Sequence, residues 1–202
     1  MTLGVRLFSA AFVFLGATVA ANASTFTVTI EQVGSDVVAT GSGTIDLAGL
    51  VAFPYCRPCA VSTPGVAPLY SLVTMNTGPG DLYTFASGNN PFGTSTGEID
   101  ASTSSGDVVS IYEGNELFVP AGYVSGSALS DTMTFDDATI ASLGLTPGTY
   151  TFTWGSGADA GSFVIDIATT PLPAALPLFA SALGALGFFG LRKKRGLALA
   201  AA

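Results

Sequence analysis

The clearest pattern along the chain is an alternation of threonine with large apolar residues in two six-residue segments. Residues 25–30 read Thr-Phe-Thr-Val-Thr-Ile, and residues 149–154 read Thr-Tyr-Thr-Phe-Thr-Trp. Side chains of a β-strand point alternately to its two faces, so each segment predicts a strand with one core face and one solvent face. Residues 162–167 repeat the alternation less regularly, and the glycine-rich link 155–161 predicts a hairpin between the last two strands.

Further short strand candidates are separated by Gly, Pro, Asn and Ser. They lie at residues 37–47, 69–75, 82–85, 108–112, 117–119 and 131–135. About eight or nine short strands with this punctuation favour an all-β fold, an antiparallel β-sandwich of jelly-roll-like type. Residues 88–106, dense in Gly, Ser, Thr and Asn, are predicted to form a long surface loop.

A short helical segment of one turn or two is predicted within this β-domain, at residues 137–143. Asp137 would be its N-cap, because a carboxylate accepts hydrogen bonds from the free N–H groups of a first turn. Gly144 would end the segment, because glycine readily adopts the left-handed conformation that follows many helices.

The N-terminus has the pattern of a secretory leader. Arg6 precedes a mostly apolar run at residues 7–20, and the Ala-Asn-Ala sequence ending at Ala23 has the small-x-small pattern that signal peptidases accept. Residues 1–23 are therefore predicted to be a signal peptide, cleaved between Ala23 and Ser24. The run is short for a membrane span, which disfavours a retained N-terminal anchor.

The C-terminal end predicts a single transmembrane helix at residues 174–191. These 18 residues carry no charge, and at about 1.5 Å per residue they would span about 27 Å. The basic cluster that follows should stay cytoplasmic and leave the preceding chain outside. It consists of Arg192, Lys193, Lys194 and Arg195. A buried core helix is the disfavoured alternative, because such helices are seldom apolar on every face and then followed by four cations.

The tail, residues 171–202, resembles the PEP-CTERM class of sorting signals, and in particular its VPLPA-CTERM variant. The resemblance rests on a proline motif, the apolar segment and the basic cluster, in that order. The motif residues are Pro171, Leu172, Pro173 and Ala174, and Thr170 stands where the variant has Val. The resemblance implies that an integral-membrane exosortase recognises the motif, removes the tail, and releases the protein or transfers it to the surface or exopolysaccharide matrix.

The region between leader and tail also resembles a recurrent ectodomain of PEP-CTERM proteins. The similar blocks are residues 29–43, 120–127, 142–150 and 154–157. That ectodomain has no activity to carry over. The resemblance therefore implies sorting and leaves the biochemistry of the domain open.

Residues 24–170, 147 in number, have a usual size for one extracytoplasmic domain. All 14 acidic residues of the chain lie there and Arg57 is the only basic one, so the formal net charge of the domain is −13. Such a surface repels nucleic acid, which excludes a nucleic-acid partner. It also attracts divalent cations, so a calcium site is an alternative to the favoured interpretation, a charge that maintains solubility.

Cys56 and Cys59 form a Cys-x-x-Cys motif after an aromatic residue, which is also the active-site pattern of thioredoxin-like oxidoreductases. Those enzymes place the first thiol at a helix N-terminus, which lowers its pKa. Proline and glycine within residues 60–68 disfavour a helix here. Because an exported protein meets an oxidising compartment, a local structural disulfide is favoured over redox chemistry.

Most catalytic mechanisms lack a participant in this chain. It contains no His, and no Lys outside the tail, which removes Ser-His-Asp, Cys-His and Lys Schiff-base chemistry. The carboxylate pairs Glu113 with Glu116 and Asp136 with Asp137 remain, but they fall in predicted turns, where acidic side chains are usually solvated. We therefore expect no enzymatic activity and no cofactor.

Tyr150 and Trp154 allow a second interpretation of the threonine-aromatic strand. Aromatic faces bind sugar rings on many β-sandwich modules, although the alternation with threonine favours a core face. Exposure of Trp154 beside Tyr150 would strengthen the glycan-binding interpretation.

The sequence thus predicts an exported, non-enzymatic protein whose partners are signal peptidase, an exosortase, the membrane and, as an alternative, exopolysaccharide. It would pass through the inner membrane to the cell surface, the outer membrane or the extracellular matrix. The alternatives are a carbohydrate- or calcium-binding module, a permanently anchored single-pass protein, and a thiol-disulfide oxidoreductase.

Overall fold

Strands in two β-sheets account for about half of residues 24–168, the part of the chain that the computed structural model describes. Two single-turn 3₁₀ helices, Pro68–Tyr70 and Gly157–Asp159, interrupt them. The strands, in chain order, are β1 Ser24–Val33, β2 Asp36–Thr44, β3 Val51–Ala52, β4 Cys59–Val61, β5 Gly65–Ala67, β6 Leu72–Thr74, β7 Gly78–Thr84, β8 Ile99–Asp100, β9 Thr103–Gly106, β10 Ser110–Tyr112, β11 Glu116–Pro120, β12 Ala128–Phe135, β13 Gly148–Trp154 and β14 Gly161–Ile167.

The first sheet has the strand order β13-β14-β1-β2-β12-β9, and the second has the order β3-β7-β11-β10-β6-β5-β8, with β4 also paired to β7. The strand pairs are antiparallel with one exception, the parallel pair of β1 and β14. A parallel pair needs a long crossover connection, and here nearly the whole described chain separates the two strands. The prediction of an all-β fold with mostly antiparallel sheets is confirmed.

Both sheets contribute to one hydrophobic core, which explains the alternation in the sequence. Phe26, Val28 and Ile30 of β1 are fully buried, while the threonines between them face outward. The rings of Phe85, after β7, and Trp154, on β13, lie 5.4 Å apart and join the two sheets. The hairpin predicted for β13 and β14 is also confirmed.

The predicted helical segment at residues 137–143 is a hydrogen-bonded turn, with the N–H of Leu143 donating to the carbonyl oxygen of Thr139 at 3.1 Å. Asp137 is not its N-cap, because it adopts a left-handed conformation with φ 51°. The side chains of Thr139 and Ser142 instead accept each other's main-chain N–H groups. Gly144, with φ 66°, ends the turn as expected.

The predicted surface loop at residues 88–106 was wrong at its C-terminal end, where the chain forms β8 and β9. The sequence also failed to indicate β3, β4 and β5. Strands of two to four residues contain too few positions to show an alternation, and their pairing with long neighbours decides that they form.

The leader (1–23) and the tail (171–202) lie outside the described residues, as do Thr169 and Thr170 of the predicted domain. The helices found within residues 24–168 lack the length and the apolar composition of a membrane span. The predicted transmembrane segment, 174–191, falls outside that range.

Candidate functional site

The residues predicted to direct sorting and orientation lie beyond the described part of the chain. They are Pro171, Leu172, Pro173, Ala174, Arg192, Lys193, Lys194 and Arg195, together with Ala23 at the leader junction. The described strands lie between Ala23 and Pro171 in the chain, from Ser24 at the start of β1 to Ile167 at the end of β14.

Cys56 and Cys59 form a disulfide, as the sequence predicts, with their Cα atoms 4.8 Å apart. Hydrogen bonds to β7 hold the loop on both sides: the N–H of Phe53 donates to the carbonyl oxygen of Leu82, and the N–H of Leu82 donates to that of Cys56. Cys59 begins strand β4 rather than a helix, so the helix N-terminus that activates a thioredoxin-type thiol is not formed at this motif.

Arg57, between the two cysteines, anchors the disulfide loop to the domain. Its guanidinium donates a 2.9 Å hydrogen bond to the hydroxyl of Tyr83, lies 5.0 Å from the centre of that ring, and is 3.6 Å from a carboxylate oxygen of Asp81. The same carboxylate oxygen of Asp81 accepts a hydrogen bond from the N–H of Gly122. The one cation of an acidic domain therefore balances a buried carboxylate and fixes a surface loop.

The disulfide loop presents an exposed aromatic pair. Tyr55 is 92% exposed and Phe53 is 42% exposed, with their ring centres 6.1 Å apart in an edge-to-face arrangement. Sequence reasoning missed these residues as candidates, although the aromatic residue directly before Cys56 was visible. A small disulfide-closed loop has little hydrophobic core in which an aromatic side chain can be buried. An aromatic residue beside such a loop is therefore expected to be exposed, and this signal identifies Phe53 and Tyr55.

Trp154 does not meet the condition for sugar stacking, because it is only 4% exposed. Its indole N–H donates a 2.9 Å hydrogen bond to the carbonyl oxygen of Asp46, which satisfies its polar group inside the domain. Tyr150 is half-buried against Phe92, and its hydroxyl donates to the carbonyl oxygen of Thr146. The strand therefore turns its tryptophan to the core, as its alternation with threonine favours, and Tyr150 and Trp154 do not form an exposed sugar-stacking surface.

A polar groove of about 240 Å³ lies against the second sheet. Tyr112, Phe118, Glu98 and Glu116 line it, together with hydroxyl side chains such as Thr63. Burial, and next the negative charge of Glu113, raise the pKa of Glu116. The predicted carboxylate pair thus lies in one hairpin, where the two groups repel each other.

Asp131 is a buried carboxylate that sequence reasoning did not single out. It is 3% exposed, and neither of its oxygens has a hydrogen-bond partner among the described residues. A side chain at Gly41, its partner on β2, would overlap the carboxylate, so the glycine provides the space it occupies. Burial, and next the charge of Asp107, raise the pKa of Asp131 to about 7.

An open cleft of about 600 Å³ lies at one end of the first sheet, beside the turn between β1 and β2; we call it the end cleft. One wall is Gln32, Gly34 and Ser35, at the turn between β1 and β2. The other lining residues lie within 139–147 and include the apolar Ile140, Leu145 and Pro147. The side chain of Gln32 is joined to this segment, because it accepts a hydrogen bond from the N–H of Ile140.

No group of three or more His, Cys, Asp or Glu residues within 24–168 is placed to hold a metal ion. The calcium site stays a prediction. No protein-family model, curated protein or solved structure matches this chain at a significant level.

Proposed function

We propose that this protein is an exported, non-enzymatic, jelly-roll-like β-sandwich that an exosortase sorts through the C-terminal tail. It would act at the cell surface or in the extracellular matrix after passing through the inner membrane. Pro171, Leu172 and Pro173 present the recognition segment, the apolar segment holds it at the membrane, and the basic cluster fixes its orientation.

The observation that carries this proposal is that residues 24–168 by themselves contain both sheets and one shared core. This range falls between the predicted leader and Pro171. Removal of leader and tail would therefore leave both sheets and their core intact. A disulfide and a highly acidic domain, which favours solubility, also suit an oxidising exterior.

We expect a variant with Pro171→Ala, Leu172→Ala and Pro173→Ala to stay full-length and membrane-bound in cells that contain an exosortase. Mass spectrometry of the C-terminus from fractionated cells measures this directly. A matched control, Leu197→Ala with Leu199→Ala, changes two tail residues outside the motif and should be processed like the natural chain.

Unchanged processing of the motif variant would refute sorting through the proline motif. A natural chain recovered from membranes with an intact C-terminus would instead support the permanently anchored single-pass alternative. The two results are distinct, because the first concerns the variant and the second concerns the unmodified protein.

A second candidate function is carbohydrate binding by the disulfide loop. The exposed aromatic pair Phe53 and Tyr55 favours it, because the disulfide, Arg57 and the main-chain bonds to β7 fix the loop before any ligand binds. A preformed aromatic surface loses little conformational entropy when a sugar ring stacks on it. Exopolysaccharide from the producing cell is the ligand to test first.

We expect Tyr55→Ala to weaken binding to that exopolysaccharide about tenfold. Co-sedimentation of the purified domain with the polysaccharide gives the affinity. Tyr70→Ala is the matched control, because Tyr70 is also exposed but lies in the 3₁₀ helix before β6. Equal binding by the natural protein and Tyr55→Ala would refute this second function.

A further inference from the structure

The polar groove lies on the face of the second sheet that points away from the core. Ile111 of β10 and Leu117 of β11 belong to the core, so their neighbours along each strand point the other way. These neighbours form the floor of the groove with two residues of β6. The floor residues are Leu72, Thr74, Ser110, Tyr112, Glu116 and Phe118. The strands with which the described chain begins and ends, β1 and β14, belong to the first sheet, on the other side of the core.

Residues 60–63, at the connection from β4 to β5, form one wall of the polar groove. β4 pairs with β7 and β5 pairs with β6, so both ends of this connection are fixed to the sheet. The hydroxyl of Thr77 donates a 2.9 Å hydrogen bond to the carbonyl oxygen of Val61, and the N–H of Ala101 donates to that of Pro64 at 2.8 Å. The groove is therefore preformed, which lowers the entropic cost of binding a ligand.

Hydroxyl groups at the bottom of the groove keep hydrogen-bonding capacity. Thr74 and Ser110 are buried, and their hydroxyl oxygens lie 2.8 Å apart in one hydrogen bond. Only one of the two hydroxyl hydrogens serves that bond, and each oxygen has two lone pairs. Ser62 and Thr63 add two more hydroxyls from the wall. A ligand that satisfies such groups must both donate and accept hydrogen bonds, as the hydroxyls of a sugar do.

Two carboxylates, Glu98 and Glu116, make the groove negative. An ionised carboxylate only accepts hydrogen bonds, so hydroxyl and ammonium groups suit it and an anion is repelled. The only basic residue within 24–168, Arg57, bonds to Tyr83 and is not among the residues that line the groove. The charge of the groove therefore selects against acidic ligands.

The aromatic side chains and the size of the groove limit the ligand further. Tyr112 and Phe118 are half-buried, so each ring keeps some apolar surface on which the C–H groups of a sugar can pack. The volume of about 240 Å³ is below the range of about 300–1,000 Å³ that is typical of pockets for drug-sized ligands. One ring of a longer saccharide would fill it.

We propose that the polar groove binds one sugar ring that carries no acidic group, and that an amine on the ring strengthens the binding. Hydroxyl or ammonium groups of the ring donate to Glu98 and Glu116, the threonine and serine hydroxyls complete the hydrogen bonds, and the C–H face packs on Tyr112. This site is separate from the exposed aromatic pair Phe53 and Tyr55, and it does not depend on sorting by an exosortase.

Calorimetric titration of the purified protein with three tetrasaccharides tests the charge preference. Cellotetraose is neutral, deacetylated chitotetraose has an amine on each ring, and tetramannuronate has a carboxylate on each ring, while the glycosidic linkage is the same. At about pH 6 the amines are largely protonated. We expect chitotetraose to bind about tenfold more tightly than cellotetraose, and tetramannuronate to give no measurable binding.

Three results of this titration would overturn the proposal. The first is that neither cellotetraose nor chitotetraose binds. The second is that tetramannuronate binds as tightly as the other two. The third is that tetralysine, a cation without a sugar ring, binds as tightly as chitotetraose, because the groove would then attract charge alone.

Ser62→Trp tests whether the sugar occupies the groove. Ser62 is exposed on the wall, so the larger side chain can enter the groove without disturbing the core. We expect this variant to bind chitotetraose at least about tenfold more weakly. The matched control is Val124→Trp, because Val124 is also exposed but does not line the groove. Melting curves without ligand confirm that both variants are folded, and equal affinities of the two would overturn the proposal.

Glu116→Gln tests the charge in the groove, because it keeps the size of the side chain and removes the negative charge. We expect it to weaken the binding of chitotetraose about tenfold, and that of cellotetraose less. Glu31→Gln is the control, because Glu31 is exposed on β1 in the first sheet. If both variants weakened the binding equally, the overall charge of the domain would be the cause and the proposal would fail.

The same titrations separate this site from the proposed carbohydrate binding by the disulfide loop. We expect Tyr55→Ala to bind chitotetraose like the natural protein. If Tyr55→Ala weakened the binding while Ser62→Trp did not, the sugar would bind at the disulfide loop and the groove proposal would be refuted. None of these measurements involves an exosortase, so a negative result would leave the proposed sorting function standing.

Discussion

Asp131 has a raised pKa, a property that is common at functional sites, but here its surroundings in the core account for it. Along β12 it shares the inward face with Leu129, Met133 and Phe135. A carboxylate in this position loses its hydration, and its oxygens gain no hydrogen-bond partner among the described residues. The neutral form is therefore favoured, which raises the pKa of Asp131 to about 7.

The raised pKa predicts that the domain loses stability as the pH rises. Below about pH 4 this carboxyl is protonated in both the folded and unfolded states. Above that pH the unfolded chain ionises first, so the free energy of unfolding falls by about 4 kcal/mol until Asp131 ionises in the folded state near pH 7. Urea unfolding at pH 4, 5.5 and 7.5 measures how steeply the free energy of unfolding falls with pH.

The isosteric change Asp131→Asn should flatten this slope and leave the variant more stable than the natural protein at pH 7.5. Asp136→Asn is the control, because Asp136 is exposed and its removal reports only the general effect of one charge. If both variants changed the pH dependence of the free energy of unfolding equally, the burial of Asp131 would not be the cause of that dependence.

Part of this residue-scale behaviour was visible in the sequence. Position 131 lies in phase with the apolar residues of its strand, which is the signal of a core-facing carboxyl. The absence of a partner was not visible, because it depends on Gly41 and on neighbouring strands that are distant in the chain. Likewise, the alternation around Trp154 allowed a core or a surface interpretation until its burial decided between them.

At the scale of an element, we expect the disulfide to fix the conformation of its own loop and to contribute only modestly to the stability of the domain. A ring closed between Cys56 and Cys59 constrains few residues in the unfolded chain, so its removal should cost about 2 kcal/mol. We expect Cys56→Ser with Cys59→Ser to unfold cooperatively at a modestly lower urea concentration. The natural protein with a reducing agent should match it, and the double variant should not respond to that agent.

A larger effect would contradict this view of the loop. If the double variant failed to fold, the disulfide would hold the second sheet together rather than fix its surface. Arg57→Ala separates the two contributions, because it removes the bonds to Asp81 and Tyr83 while the disulfide stays closed. It leaves the carboxylate of Asp81 buried without its cation, so it should destabilise the domain as well.

Long and short strands differ in how far the sequence predicted them. β1 and β13 have enough residues for an alternation to identify them and to assign their core faces. β3 and β8 have two residues each and form because β7 and β5 offer them hydrogen bonds. The turn at Thr139 was expected to be helical with a different cap, because capping depends on which side chain the fold brings to the free N–H groups.

At the scale of the whole molecule, the concentration of negative charge predicts a salt-dependent stability. The domain carries a formal net charge of −13, so its folded form is destabilised by self-repulsion. We expect the melting temperature at pH 7 to rise when sodium chloride is increased from about 10 mM to about 500 mM, because the added ions screen these charges. Scanning calorimetry gives the shift.

The same measurement with calcium chloride at equal ionic strength tests the predicted calcium site. Specific binding to the folded state would add a further rise that a chelator reverses. Equal melting temperatures in the two salts would favour the interpretation of the charge as a determinant of solubility. A melting temperature that falls when sodium chloride is added would contradict the self-repulsion argument.

The sequence by itself determined the all-β class, the long strands with their inward faces, the last hairpin and the closure of the Cys-x-x-Cys loop. Alternation, turn composition and close cysteine spacing are local properties, because each depends only on residues that are close together in the chain. The leader and tail predictions rest on the same kind of local signal and stay predictions for the residues outside 24–168.

Only the tertiary structure decided which strands become neighbours. The pairing of β1 with β14 is parallel, and the approach of the two sheets buries Trp154 while leaving Tyr55 exposed. Such pairings join residues far apart in the chain, and many partners satisfy the same alternation. The choice among them follows from the total apolar surface buried and the hydrogen bonds satisfied, which no single segment specifies.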